Sequence, residues 1–235
     1  MHIRRAVLPA IALPLIMAIA GCGATIPNGN GGEDLPEVEV REYEGENLSS
    51  INDFRENSIK GPQYVATDEY VLKVHGLVEN DLSYTYEEVI NGFASYRKVV
   101  TLSCVEGWDV KLLWEGVLVR DLLDEAGVLP EKSIVIFKAA DGYSTTLPVD
   151  YIMGRDILLA HSMNSVTLPP ERGFPFQLVA ESKWGYKWIK WVTEIDLSDN
   201  EDFRGYWEFY GYSESGDLDK PFVDPFPWIA GGDPK

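Results

Sequence analysis

The chain has 235 residues, enough for one or two domains. Hydrophobic residues make up 45%, aromatics 12% and charged residues 25%, values that exclude a wholly disordered or fibrous chain. Its 38 acids against 20 bases give a net charge of −18, which excludes a nucleic-acid binder, and 2 Cys with 3 His exclude zinc ribbons and His-rich metal centres.

The chain begins with His2, Arg4 and Arg5, followed by an apolar run over residues 6–20. That run is shorter than the about 20 residues a membrane span needs, and small residues follow it, so residues 1–21 read as a secretory signal. Ile19-Ala20-Gly21-Cys22 resembles a bacterial lipobox, which makes Cys22 the expected lipidation site and a membrane anchor. Arg4-Arg5 also resembles a twin-arginine export signal. Residues 22–47 are rich in Gly, Asn, Pro and Glu and read as a flexible acidic tether. With Cys22 lipidated, Cys104 is the one remaining thiol of an exported protein. It is a small buried hydrophobe, a nucleophile or a metal ligand.

The globular domain spans residues 48–198. Strands are expected at 70–77 and 99–102, the second ending at Ser103-Cys104. Between them Thr85 and Glu88 have capping-box spacing, with Val89, Ile90 and Phe93 behind, which predicts a short helix. Residues 119–126 have helical spacing and stop at Gly127. The mainly apolar stretch 133–139 reads as a buried strand, Asp141-Gly142 as a turn, and 143–147, 157–160, 176–180 and 191–197 as further strands. Many strands with few short helices predict an α+β fold of mixed sheets. Residues 199–235 form an aromatic, acidic tail expected to wrap the domain.

The densest chemical signal lies at 172–191. Arg172, Lys183, Lys187 and Lys190 alternate there with Trp184, Tyr186, Trp188 and Trp191. These cations either face water from alternate strand positions or form an anion pocket, in which Gly173 and Gly185 would let backbone N–H groups approach the ligand. Cys104 lies in Ser-Cys-Val-Glu-Gly-Trp, where a strand runs into a glycine turn. A thiol nucleophile needs a base, and neither His75 nor His161 sits in a thiol-enzyme pattern. One Cys without His partners cannot build a protein-only zinc site, but it can give one thiolate to a metal held mostly by a cofactor.

Four blocks resemble the pterin-molybdenum domain of the sulfite oxidase family: Ser103 to Trp108 with Trp114; Ala140 to Pro148; Leu158-Leu159-Ala160 with Met163-Asn164, Leu168-Pro169 and Gly173-Phe174-Pro175; and Trp184-Gly185-Tyr186-Lys187 with Ile189-Lys190-Trp191. They occur in the family's order between residues 52 and 197. The resemblance implies a molybdenum-molybdopterin cofactor with Cys104 as thiolate ligand of the metal. Lys190, with Trp188 and Ile189, matches positions that bind the pterin phosphate. Asn52, Arg55 and Glu56 match an early cofactor-contacting stretch, and Ala139 falls where a relative uses a Thr. Tyr143 matches an active-site tyrosine able to donate a hydrogen bond to a bound oxyanion. Arg172 stands where relatives carry His or Asn, and Gln177 where they carry Arg, so one positive charge has moved upstream.

The family further implies oxygen-atom transfer to or from a small sulfur or nitrogen oxo substrate, such as sulfite or a sulfoxide. Electrons would pass through a separate redox partner, a cytochrome or membrane protein. With 38 residues after Leu197, the family's C-terminal dimerisation domain is expected to be absent and the protein monomeric. A cofactor loaded in the cytoplasm agrees with twin-arginine export and a lipid-anchored location outside it. Two other readings stand beside this one: a non-catalytic lipoprotein presenting an anion pocket, and a cysteine hydrolase acting through Cys104.

Overall fold

A computed structural model of the chain describes residues 37–223. The signal segment and Cys22 lie outside the described residues. The described chain opens with a small hairpin, β1 (Glu42–Tyr43) and β2 (Glu46–Asn47). Residues 37–47 therefore differ from the flexible tether expected of them. Glu37 accepts hydrogen bonds from the Thr167 backbone N–H and hydroxyl at 2.7 Å each. Glu39 accepts from the Ile51 N–H at 2.8 Å and the Asn164 side chain at 2.9 Å. Acids that look solvated in the sequence satisfy donors of the domain edge.

The next elements follow the expected order. Leu72 and Val74 are fully buried while Lys73 between them is exposed, the period of two that makes β3 (Leu72–Gly76). After β4 (Leu82–Tyr84) comes α1 (Tyr86–Gly92), entered through the complete capping box of Thr85 and Glu88. The strand expected at 99–102 is longer, β5 (Ser95–Ser103). It turns through Cys104 into β6 (Asp109–Leu118), a strand the sequence pattern did not announce. Helix α2 (Val119–Ala126) buries Val119, Leu122, Leu123 and Ala126 on one face and ends at Gly127.

A hairpin of β7 (Ile134–Ala139) and β8 (Ser144–Pro148) leads into the single turn α3 (Val149–Met153). Then come β9 (Leu158–Met163), β10 (Val166–Thr167), a 3-10 turn at Pro170–Arg172 and β11 (Gln177–Val179). A second 3-10 turn, Gly185–Lys187, precedes β12 (Val192–Ser198), and α4 (Tyr206–Phe209) lies in the tail.

Among the described residues the strands form two five-stranded sheets besides the first hairpin. One runs β4-β3-β12-β7-β8, and its β12–β3 pair is parallel. The other runs β10-β9-β6-β5, with β11 also paired to β9. This is the expected α+β arrangement of mixed sheets with short helices. Their shared core includes Trp114, Phe137 and Leu122, each essentially inaccessible to water. Burying side chains of that size contributes roughly 2–3 kcal/mol apiece. The Trp114 indole N–H is satisfied by the Val100 carbonyl at 3.2 Å, so its burial leaves no donor stranded. Among the described residues no helix is long and apolar enough to cross a membrane.

Candidate functional site

Connections from both sheets converge on one cavity of about 420 Å³. The β5–β6 turn supplies Cys104, Glu106 and Trp108; the β7–β8 turn supplies Asp141 and Tyr143; and the segment before β12 supplies Trp188, Ile189 and Lys190. Irregular chain at 54–61 adds Phe54, Arg55, Glu56 and Asn57. The volume suits a small-molecule or cofactor site.

Cys104 sits in a tight turn. Its N–H donates to the Trp108 carbonyl at 2.9 Å, and its carbonyl accepts from the Gly107 N–H at 3.0 Å. The thiol is half-buried and forms no disulfide. Burial pushes its pKa up; the Glu106 backbone N–H opposes this most, the Glu106 carboxylate adds to the rise, and Asn57 and Arg55 oppose it more weakly. Among the described residues no histidine lines the cavity with it. A thiol so placed lacks the base and the electropositive setting of a nucleophile, whereas a bound metal would ionise it outright. Glu106 is itself held by Asn57 at 3.1 Å, the Trp108 indole at 3.1 Å and Arg55 at 3.7 Å, and these partners lower its pKa.

The cations are more committed than the sequence suggests. Lys190 donates to Glu56 at 2.5 Å, and burial lowers its pKa while Glu56 opposes the fall. The Arg172 guanidinium donates to the Ile51 and Phe54 carbonyls at 3.0 and 2.6 Å and lies 3.8 Å from the Phe54 ring centroid. Lys183 and Lys187 neither face water nor join an anion pocket. Lys183 pairs with Asp217 at 2.5 Å, and the fully buried Lys187 pairs with Glu208 at 2.5 Å. Both partners come from the tail, which no local pattern connects to them.

The cavity is therefore not cation-lined in sum. Arg55, Arg172 and Lys190 share its wall with Glu56, Glu106, Asp141 and Glu171. The two glycines are required by neighbouring chain, though Gly185 also lines the cavity. A side chain at Gly185 would lie 3.2 Å from the Ser103 carbonyl, and one at Gly173 would lie 2.9 Å from Lys190 Cβ, so both serve chain-to-chain packing.

Arg55, Glu56, Cys104, Tyr143, Arg172, Gln177, Trp188, Ile189 and Lys190 are brought together at the cavity. Asn52 and Ala139 are not. Asn52 is exposed in a turn closed by Ser50 and Asp53, and Ala139 is buried in β7 opposite Val192. Tyr143 is present, but its hydroxyl proton goes to the Tyr186 carbonyl at 2.6 Å rather than into open space. Burial, reinforced by Glu208 and neighbouring phenols, holds its pKa well above the usual value, so the phenol stays neutral.

Trp207 and Tyr212 of the tail also line the cavity and were not foreseen. The only sequence signal for them was the aromatic content of the tail. Asn57 and Trp108 sat inside stretches singled out for other residues.

Among the described residues, no cluster of three or more His, Cys, Asp or Glu could hold a metal by itself. The donor set is one thiol in the same cavity as the buried Arg172 and the part-buried Lys190, with room for an organic group. That set fits a metal held chiefly by an anionic cofactor. Residues 59–207 match the family described as oxidoreductase molybdopterin binding domain, and the chain belongs to that family, the sulfite oxidase family of molybdopterin-binding oxidoreductases.

The chain is 34% identical over 157 residues to the oxidoreductase YuiH of Bacillus subtilis, covering 66% of this chain and 78% of that protein. It is 27% identical over 221 residues to the protein-methionine-sulfoxide reductase catalytic subunit MsrP of Xanthomonas axonopodis pv. citri, covering 82% of this chain and 69% of that protein. Among solved structures, the sulfane dehydrogenase SoxCD of Paracoccus pantotrophus is similar, with a TM-score of 0.57 and 26% identity over 60% of this chain. The match spans 41% of that longer chain.

Proposed function

We propose that the protein binds molybdenum-molybdopterin and catalyses oxygen-atom transfer to or from a small sulfur or nitrogen oxo substrate. The observation that carries this reading is Cys104. It is a half-buried thiol on the wall of a cofactor-sized cavity, with no histidine and no second sulfur lining that cavity among the described residues. In this reading Cys104 supplies the protein's thiolate to the metal. Lys190 and Arg172 hold the cofactor phosphate, which requires Lys190 to exchange Glu56 for the incoming anion. Gln177 and the backbone at Trp188 and Ile189 orient the pterin. Asn57 and Trp108 fix the Glu106 carboxylate beside the thiol. When bound, the cofactor supplies a metal that cycles between oxidation states as oxygen is gained or lost.

Electrons would be exchanged with a separate redox protein, in keeping with the relative whose name denotes a catalytic subunit. The protein would be exported and held at the membrane by lipid on Cys22, as the amino-terminal segment suggests.

Metal analysis of protein made in a host that synthesises the cofactor tests the proposal. About one molybdenum per chain is expected, together with a Cys104 thiol shielded from alkylation. Cys104→Ser should fold and lose both metal and turnover. A folded, metal-free wild-type protein that still binds anions would favour the non-catalytic lipoprotein instead.

A further inference from the structure

The segment at 50–57 supplies one wall of the cavity without any helix or strand of its own. It carries Phe54, Arg55, Glu56 and Asn57, and it lies ahead of residues 59–207, which match the family. Chain of this kind has no backbone ladder to fix it, so its position rests on side chains from elsewhere.

One peptide of the segment is gripped from both sides. The Ile51 N–H donates to the Glu39 carboxylate at 2.8 Å, and the Ile51 carbonyl accepts from the Arg172 guanidinium at 3.0 Å. Both bonds are charge-assisted, the stronger kind. Glu39 also accepts from the Ser50 hydroxyl at 3.0 Å. Arg172 reaches on to the Phe54 carbonyl at 2.6 Å, and the Phe54 ring packs 5.5 Å from that of Trp108. The grip therefore passes from Glu39, through Ile51, to a cation and a ring that line the cavity.

Glu39 is itself anchored. Asn164 is fully buried and donates one amide hydrogen to Glu39 at 2.9 Å and the other to the Ser49 carbonyl at 2.8 Å. Its side-chain oxygen accepts from the Leu113 N–H in β6 at 2.9 Å. Both amide hydrogens and the oxygen are used, so Glu39 cannot leave without stranding a buried donor. Burial alone would raise the Glu39 pKa, but the bonds from Asn164, Ile51 and Ser50 outweigh it and hold the carboxyl below its usual range.

We infer that Glu39 is a positioning residue of the cofactor site: the arm at 37–47 is a strap that holds the 50–57 wall in place and so keeps the bound cofactor from leaving. The inference rests on the molybdopterin reading above for the identity of that cofactor, and adds to it a residue that acts through Ile51 from outside the family match.

The test uses the full chain, made with and without the cofactor. Glu39→Ala should speed amide hydrogen exchange over 48–57 about tenfold in both forms, with exchange in β7 unchanged. In loaded protein the same variant should lose molybdenum about tenfold faster on dilution. Ser50→Ala, a milder change that removes one bond to Glu39, should move both rates the same way by about threefold. Glu39→Gln keeps an oxygen for Ile51 and Asn164 and should stay within about threefold of wild type. Thr85→Ala, which weakens α1 away from the cavity, should leave molybdenum loss unchanged.

Unchanged exchange over 48–57 in Glu39→Ala would overturn the strap outright. Faster exchange with unchanged molybdenum loss would end its hold on the cofactor. So would a Thr85→Ala chain that released molybdenum as fast as Glu39→Ala, since the loss would then follow global stability. A wild-type chain that takes up no molybdenum would instead sink the molybdopterin reading, with the strap kept if Glu39→Ala still speeds exchange over 48–57 and lost if it does not.

Discussion

The hairpin that carries Cys104 and the tail that carries Trp207 line the same cavity but are held by different forces. β5 and β6 pair without a break from Ser95↔Val117 to Ser103↔Asp109, so the backbone ladder alone sets where the thiol lies. The tail has the four-residue α4 and isolated bridges such as Lys183↔Asp217. Two lysines of the domain reach it, Lys187 to Glu208 and Lys183 to Asp217, beside hydrogen bonds such as that of the Tyr186 hydroxyl to the Ser213 carbonyl. A ladder spreads stability over many backbone bonds in series, whereas the tail is held by scattered contacts among which two ion pairs are buried or nearly so. The first wall should tolerate single substitutions that undo the second.

Lys187→Met should break this contrast most severely. It strands a buried Glu208 carboxylate whose second oxygen already lacks a hydrogen bond, and costs about 3–5 kcal/mol, read as a lowered Tm with protease cuts near residue 208. Adding Glu208→Leu should recover most of that loss, because the stranded charge is then gone. Cys104→Ser, in the other wall, should shift Tm little, and circular dichroism should show an unchanged fold.

Tyr143→Phe sharpens the comparison between turnover and binding. It removes the bond to the Tyr186 carbonyl, and turnover should fall by about tenfold with molybdenum content unchanged. Equal loss of both would make Tyr143 a cofactor-binding residue instead.

Acid should loosen the tail before the hairpin. Burial alone would raise the Asp217 pKa, but Lys183 and Lys220 outweigh it and bring it down to about 2, from an ordinary 3.8. A carboxylate depressed in the folded state contributes stability that is fully present above its unfolded value and is lost as pH falls through its folded one. Pepsin cleavage within 205–220 should therefore rise as pH drops from about 4 to 2. Asp217→Asn should already be cleaved at the upper end of that window.

The smallest effect lies far from both walls. Thr85→Ala should cost about 1 kcal/mol through loss of the α1 capping box, measured by denaturant unfolding, with no change in metal content.

Local chemistry made much of this molecule legible. α2 follows from its apolar spacing and its terminal glycine, and α1 from Thr85 and Glu88. β7 follows from the apolar run Ile134 to Phe137, and the position of Cys104 at a strand end from the glycine turn that follows it. β6 was not legible. Its burial alternates only at the start and becomes continuous from Leu112, with half-buried Glu115 interrupting the run, because β5 and β9 flank it and the core covers its far end.

The family of the chain was carried by ordered short motifs between residues 52 and 197, and those motifs also located most of the cavity wall. They could not say where the lysines at 183 and 187 point, since each takes a partner more than twenty residues ahead in a tail with no periodicity. Sequence by itself determined most of the strands (β6 excepted), the two capped helices and the thiol's place at a turn, because those depend on neighbours along the chain. Only the tertiary structure decided that positive charge near the site is spent on internal acids and that the tail closes the cavity with aromatic rings. Ion pairing and ring packing act through space, and nothing in the order of residues records which distant side chain will be within reach.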